Sequence, residues 1–177
     1  MKLRVGLVGV GPTWNTRHRP ALSALASRFC VRAVCDPVAH RAVQVADEIG
    51  ARPIDGFRAL TAAEDIEAIL MLSGRWFGAL PIHAACDHGK AVYCGASVDM
   101  PEAQASSLCT RVRESGVAFM AELPLRLAPA TIRLKELIAT RLGPPKLLFC
   151  NERHSATWSS EAPCPGEPAS HTRRLID

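Results

Sequence analysis

The stretch LRVGLVGVGPTW, residues 3–14, constrains this chain more than any other. Its nearly continuous apolar run has the composition of a strand buried on both faces. The run ends in Gly9-Val10-Gly11, where missing side chains permit a tight turn and a close backbone approach. A basic, helix-like segment, Arg17-His18-Arg19-Pro20-Ala21-Leu22, follows directly. Strand, glycine turn and helix in this order point the first N–H groups of the helix at a negative charge. A dinucleotide-binding fold begins in the same way. The fingerprint of such folds is G-x-G-x-x-G, and Trp14 occupies the third glycine position, which normally allows close helix–strand packing. A tryptophan there predicts a more open loop or a later helix start. Pro12 has no N–H to offer a phosphate. The turn by itself is equally compatible with a strand-to-helix connection that holds no ligand.

A second feature joins the first. FCVRAVC, residues 29–35, is expected to be the second strand, and it closes on Asp36-Pro37. Asp36 lies 25 residues after Gly11 (36 − 11), where an acid accepts hydrogen bonds from the ribose hydroxyls of adenosine. Asp-Pro also suits a helix entry, and the two roles are compatible. Arg41 falls in the first turn of the next helix, where it either stacks on an adenine or is a solvated helix arginine.

The remaining elements alternate. Helices are expected over 18–28, 38–49, 80–88, 101–114 and 129–142, with a short helical turn at 57–60. Strands are expected over 51–54, 66–72, 91–94, 117–121 and 146–150. Gly50 and Gly89 stop the helices before them. Repeated β-then-α predicts an α/β fold, a Rossmann-like, doubly wound, mostly parallel sheet with helices on both faces. Ligands of such sheets lie beyond the carboxyl ends of the strands. The candidate cofactor-binding residues are therefore Gly9, Gly11, Thr13, Trp14, Asp36 and Arg41, with Ser73 and Gly95 after the fourth and fifth strands. The expected division is a nucleotide-binding domain over 1–125, a further helix and strand over 126–150, and a loop or linker over 151–177, where Ser, Pro and Ala dominate without a period.

Other classes fit less well. With 177 residues, 48% of them hydrophobic, the chain can bury a real core. The net charge of +4 sits in short clusters, Arg17-His18-Arg19 and Arg173-Arg174, so no nucleic-acid partner is expected. No run is long enough to cross a membrane, and the apolar stretch after Lys2 and Arg4 is too short for a signal peptide. Seven cysteines without C-x-x-C point to a reduced, cytoplasmic protein. His83 and Asp87, at i and i+4 on one helix, could share a metal, but histidines near a glycine-capped helix end also suit the helix dipole; Cys150, His154 and Cys164 match no common ligand spacing, and no metal is expected. Cys35 and Cys94, at strand ends, are either buried small hydrophobes or reactive thiols. No G-x-S-x-G or Walker loop is present. Glu122 and Arg126 form either a structural pair or a substrate contact.

Taken together, VGLVGVG, the RHRPAL helix start, VRAVCDP, IEAILML-S, HGKAVYC, ESGVAFMAE, LRLAPATIRLKELI and LGPPKLLFC resemble the N-terminal half of the Gfo/Idh/MocA oxidoreductases, over about residues 3–151. The resemblance implies a nicotinamide-cofactor dehydrogenase of sugars or polyols, with a second domain that shapes the substrate pocket and often builds the oligomer. It implies that 126–150 is the connecting helix and first strand of a shortened second domain. It implies NAD as cofactor, since an acid at Asp36 repels a 2′-phosphate, with NADP left open. It also exposes departures. The family's Glu-Lys-Pro is matched by Gly95, Ala96 and Ser97, and alanine cannot carry the proton-transfer role of that lysine. Trp76 and Gly78 match positions where the family carries histidines. The chain alone thus lacks the expected catalytic residues, and none is assigned. Two readings follow: a C-terminally shortened oxidoreductase domain, or a non-catalytic nucleotide-binding or scaffold module. A methyltransferase using S-adenosylmethionine is a third, disfavoured by the β-α order past Val117. Apolar surface normally covered by a second domain predicts self-association.

Overall fold

The computed structural model describes residues 1–74, 76–96, 98, 100–147 and 149, with positions 124 and 125 described by backbone alone. Six strands form one sheet: β1 (Leu3–Val8), β2 (Phe29–Cys35), β3 (Arg52–Pro53), β4 (Ala68–Met71), β5 (Ala91–Cys94) and β6 (Phe119–Ala121). Their order is β3-β2-β1-β4-β5-β6, and every pairing is parallel. The helices are α1 (Arg19–Ala24), α2 (Ala39–Ile49), α3 (Phe57–Ala62), α4 (Leu80–Asp87), α5 (Glu102–Ser115) and α6 (Pro129–Leu137). From β1 the chain winds to β2 and β3 on one side. From β4 it winds to β5 and β6 on the other, so the order reverses between β1 and β4.

Two apolar clusters show why the carboxyl-terminal halves of β1 and β2, and all of β4, are apolar. Leu7 and Val34 pack with Ala42, Val45 and Ala46 of α2 in one cluster. Val8, Ala33 and Cys35 pack with Leu60 of α3, Ile82 of α4 and Leu108 of α5 in the other. Neighbouring residues of one strand thus enter different clusters, as a pleated strand requires, and the sheet is covered on both faces. Val5, Leu7, Val8, Val34 and Ile69 are fully buried. Each such side chain contributes about 1.5–3 kcal/mol.

The first helix ends earlier than expected. A wide five-residue turn, Trp14–His18, comes before α1, in line with the later helix start expected from Trp14, but α1 stops at Ala24. Trp14 is only 4% exposed, and burying its indole at the helix start needs the extra room of the wide turn. The end is set by the sheet. The chain bends at 25–28 to enter β2, with Arg28 N–H and Phe29 N–H both bonded to the Leu25 carbonyl. α3 is longer than the expected turn, and β3, β4 and β6 are shorter than the expected strands.

The chain divides into two compact units, Met1–Glu122 and Leu123–Asp177. The second begins with a 3-10 turn, Pro124–Leu127, followed by α6 and a wide turn, Ile138–Leu142, where one continuous helix was expected. The strand expected over 146–150 falls partly outside the described residues; Lys146 and Leu147 are irregular. The expected loop over 151–177 lies outside them entirely.

Candidate nucleotide-binding site

The carboxyl ends of the strands are held in register one residue past the sheet. Gly9 N–H bonds to the Cys35 carbonyl, Leu72 N–H to Val8, Gly95 N–H to Met71 and Glu122 N–H to Cys94, at 2.8, 3.0, 2.9 and 2.8 Å. Gly9, Ser73, Gly95 and Glu122 therefore sit on one edge of the first unit.

The glycine turn presses against the end of β4. Gly9 has φ +72°, and a Cβ there would lie 2.6 Å from the Ser73 carbonyl oxygen and 2.9 Å from Ser73 Cβ. A Cβ on Gly11 would lie 3.1 Å from the Leu72 carbonyl oxygen. Both glycines thus have a packing reason in this chain's own backbone, and Ser73 is the residue they approach. Pro12 has no N–H, and Trp14 N–H bonds to Gly11 O. No described hydrogen bond uses the N–H of Gly11 or of Thr13, the exposed residue that starts the wide turn.

Asp36 ties this turn to the next helix. Its Oδ2 accepts the Val10 N–H at 2.7 Å and its Oδ1 the Val38 N–H at 2.9 Å. The side chain is 2% exposed, so the bonds replace lost hydration. Each oxygen keeps a second lone-pair site for a further donor. Arg41 stands over it, 3.8 Å from Oδ1 and 3.5 Å from the Val10 carbonyl oxygen, with its side chain half exposed. The structure thus brings Gly9, Gly11, Asp36, Arg41 and Ser73 together. Trp14 lies in the core with Leu7, Val10, Val34 and Leu72, and its Nε1 is buried without a hydrogen-bond partner.

On the β5–β6 side, Gly95 lies beneath the carboxylate of Glu122. A Cβ at Gly95 would be 3.1 Å from Glu122 Oε2 and 3.1 Å from Tyr93 Cε1. Glu122 Oε1 pairs with Arg17, from the wide turn after β1, while Oε2 is buried without a hydrogen-bond partner. The sequence shows Arg17 as one of a basic cluster and gives no sign of this partner 105 positions away (122 − 17). His18, the middle residue of that cluster, is 8% exposed, and burial, aided by Arg17, pushes its imidazole below the usual range.

The other candidates resolve as follows. Cys35 is 1% exposed, and burial pushes its thiol up to about 11 against a backbone hydrogen bond from Gly56, the behaviour of a buried small hydrophobe. Cys94 donates to the Ala96 carbonyl at 3.3 Å. Asp87 pairs with Arg111 at 2.5 Å. Among the described residues no three His, Cys, Asp or Glu side chains are grouped to hold a metal; Cys150, His154 and Cys164 lie outside them. No described helix is long and apolar enough to cross a membrane.

With this geometry in place, comparison adds the lineage. Residues 3–123 match the Gfo/Idh/MocA family, described as an oxidoreductase family with an NAD-binding Rossmann fold. Inositol 2-dehydrogenase 3 of Saccharopolyspora erythraea is 31% identical over 160 residues, which cover 87% of this chain and 46% of that protein. A 3-ketoreductase from Actinomadura kijaniata, solved with NADP, superposes with a TM-score of 0.63 at 25% identity over 78% of this chain and 42% of its own. A scyllo-inositol dehydrogenase from Lactobacillus casei, solved with NAD(H) and scyllo-inositol, shares the fold with a TM-score of 0.68 at 16% identity over 78% and 41%. The chain thus spans about half the length of the curated relative it matches. Sheet order, glycine turn and family match agree: this chain belongs to the Gfo/Idh/MocA oxidoreductase family and carries its NAD-binding Rossmann fold.

Proposed function

We propose that this chain is the cofactor-holding half of a nicotinamide-dependent oxidoreductase, with NAD the preferred cofactor and a sugar or polyol the substrate class. The observation that carries the reading is the Asp36 carboxylate, fixed by the Val10 and Val38 N–H groups between the glycine turn and α2. That arrangement fits a dinucleotide. In this reading the N–H groups of Gly11 and Thr13, which no described hydrogen bond uses, bind the pyrophosphate, and the spare lone pairs of Asp36 accept from a ribose diol. Its charge disfavours the 2′-phosphate of NADP, while Arg41 beside it offsets part of that repulsion. The inositol dehydrogenase relative is the support for a polyol.

In this reading the nicotinamide, when bound, supplies the hydride acceptor or donor. The residues of this chain bind and orient it. Proton transfer needs a titratable group near the reacting carbon, and Ala96, in the place of the family's lysine, offers none. This favours a second reading, a nucleotide-binding module without catalysis of its own. Both readings place the protein in the cytoplasm. They also include self-association through the second unit, where Leu127, Ile132, Leu134, Leu142, Leu147 and Phe149 are exposed. Light scattering that finds only monomers removes that element.

Titration calorimetry with NAD and NADP tests the cofactor reading. NAD is expected to bind more tightly than NADP, and Asp36→Ala to weaken NAD and narrow the difference. Binding of neither at millimolar concentration overturns the reading and leaves a scaffold. Tighter binding of NADP reverses the proposed preference.

A further inference from the structure

Glu122 is the charged group of the first unit whose surroundings leave most unexplained. Its side chain is 9% exposed, and its Oε2 is buried with no hydrogen-bond partner. Leaving a buried charged acceptor unpaired is more costly than leaving a neutral one. The position is also held firmly. Glu122 N–H bonds to the Cys94 carbonyl at 2.8 Å, and Arg17 grips Oε1. The lone oxygen leans over Gly95, 3.1 Å from the point where a side chain would begin. Gly95 is itself half-buried and brings no side chain of its own to the space beside the carboxylate, where Tyr93 Cε1 is the other near neighbour at 3.1 Å.

The place of this pair in the topology gives it meaning. Arg17 lies in the wide turn that follows β1, and Glu122 directly follows β6. The ion pair therefore crosses the crevice at which the winding reverses, where ligands of doubly wound sheets lie. Asp36 directly follows β2 on the opposite side. Four strand spacings separate β2 from β6, about 19 Å at the usual interstrand distance. One buried carboxylate thus flanks the glycine turn on each side, as a ligand with a hydroxyl-bearing nucleoside at either end requires.

We infer that Glu122 is a ligand contact: its Oε2 accepts a hydrogen bond from a hydroxyl of the dinucleotide's second nucleoside, opposite the end held by Asp36, while Arg17 turns from Glu122 to the pyrophosphate. The inference rests on the dinucleotide reading above. Arg17 is half exposed, and exchanging a carboxylate for a phosphate keeps its charge paired. The exchange uncovers the carboxylate when the ligand arrives.

The test is titration calorimetry of the full chain with NAD and with ADP, which carries the adenosine and pyrophosphate but no second nucleoside. The ratio of the two affinities is the readout, because Glu122→Gln also frees Arg17 and shifts both ligands alike. Glu122→Gln is expected to lower the preference for NAD over ADP about tenfold, the loss of one charge-assisted hydrogen bond. Gly95→Ala keeps both charges and displaces the carboxylate, so it lowers the same ratio if Glu122→Gln does not fold. Arg17→Met weakens NAD and ADP in equal proportion. An unchanged ratio in folded Gly95→Ala and Glu122→Gln overturns the inference and makes the pair a structural tie. So does a wild-type chain that binds NAD no more tightly than ADP. A wild-type chain that binds neither nucleotide removes the dinucleotide reading itself.

Discussion

Replacing Gly9 with alanine separates two explanations of the glycine turn. If the glycines serve only the approach of a pyrophosphate, Gly9→Ala lowers nucleotide affinity and leaves stability nearly untouched. The structure predicts otherwise. At φ +72° an L residue pays about 1–2 kcal/mol for the left-handed conformation. The new Cβ would also sit 2.6 Å from the Ser73 carbonyl oxygen, closer than such atoms approach one another. That oxygen is backbone at the end of β4, where the neighbouring Leu72 N–H is tied to Val8 at 3.0 Å, so it cannot swing aside. Shifting the strand end adds about 1–3 kcal/mol, the usual cost of overpacking. Gly9→Ala is therefore expected to destabilise by about 2–5 kcal/mol. Two controls divide the sum. Gly50 has φ +68° and nothing within 4 Å of an added Cβ, so Gly50→Ala reports the backbone cost alone. Gly11 has no positive φ, and its Cβ would be 3.1 Å from the Leu72 carbonyl oxygen, so Gly11→Ala reports contact alone. The assay is urea unfolding, read as a midpoint shift at constant slope. A cost for Gly9→Ala no greater than that for Gly50→Ala refutes the packing argument.

Two further perturbations follow from the same structure. Trp14→Gly restores the full glycine fingerprint yet is expected to destabilise by about 3–5 kcal/mol, because it empties the core between α2 and the sheet; a neutral result in urea would show that the indole is not packed there. Asp65 accepts hydrogen bonds from Arg52 and Arg32, and the Arg52 bond above all holds its carboxyl well below the usual carboxylate range. A depressed folded-state pKa gives stability that is complete above the unfolded value, about 4, and is lost as pH falls through the folded one. Asp65→Asn should thus flatten the decline of urea midpoints below about pH 4, with a neutral-pH loss within about 1 kcal/mol because the pairs are exposed. An unchanged acid slope refutes the assignment.

Period and turn chemistry made much of the fold legible. β2 and β5 occupy the residues expected of them, and α2 and α4 do so to within one. Each is an apolar run or a one-faced helix bounded by glycine, proline or aspartate, so local signals and burial agree. The failures fall where a tertiary demand overrides a local one. Residues 18–28 have an ordinary helical pattern, but the entry to β2 ends α1 at Ala24. Residues 117–118 have strand composition yet lie outside β6, because the ladder with β5 begins at Phe119. No single-chain pattern records where a neighbouring strand ends.

The site divides along the same line. Gly9, Gly11 and Asp36 were visible because a turn and an acid at a set distance form a local motif, and the structure adds that Asp36 joins the motif's two halves through Val10 and Val38. Trp14 was visible as an oddity, but whether an aromatic at a helix start faces a ligand or a core depends on the helix packed beside it. Arg17 and Glu122 carried no signal of pairing, since charge complementarity between remote positions is common to most arginines and glutamates in a chain. Their partnership becomes specific only through the sheet order, which brings the end of β6 across the crevice from the turn after β1. Gly95 shows the same dependence. A Cβ there would lie 3.1 Å from Glu122 Oε2, so the carboxylate that Arg17 holds limits what the end of β5 can carry. That limit joins two strand ends 27 positions apart (122 − 95), and it cannot be read position by position because it arises from their closeness in space.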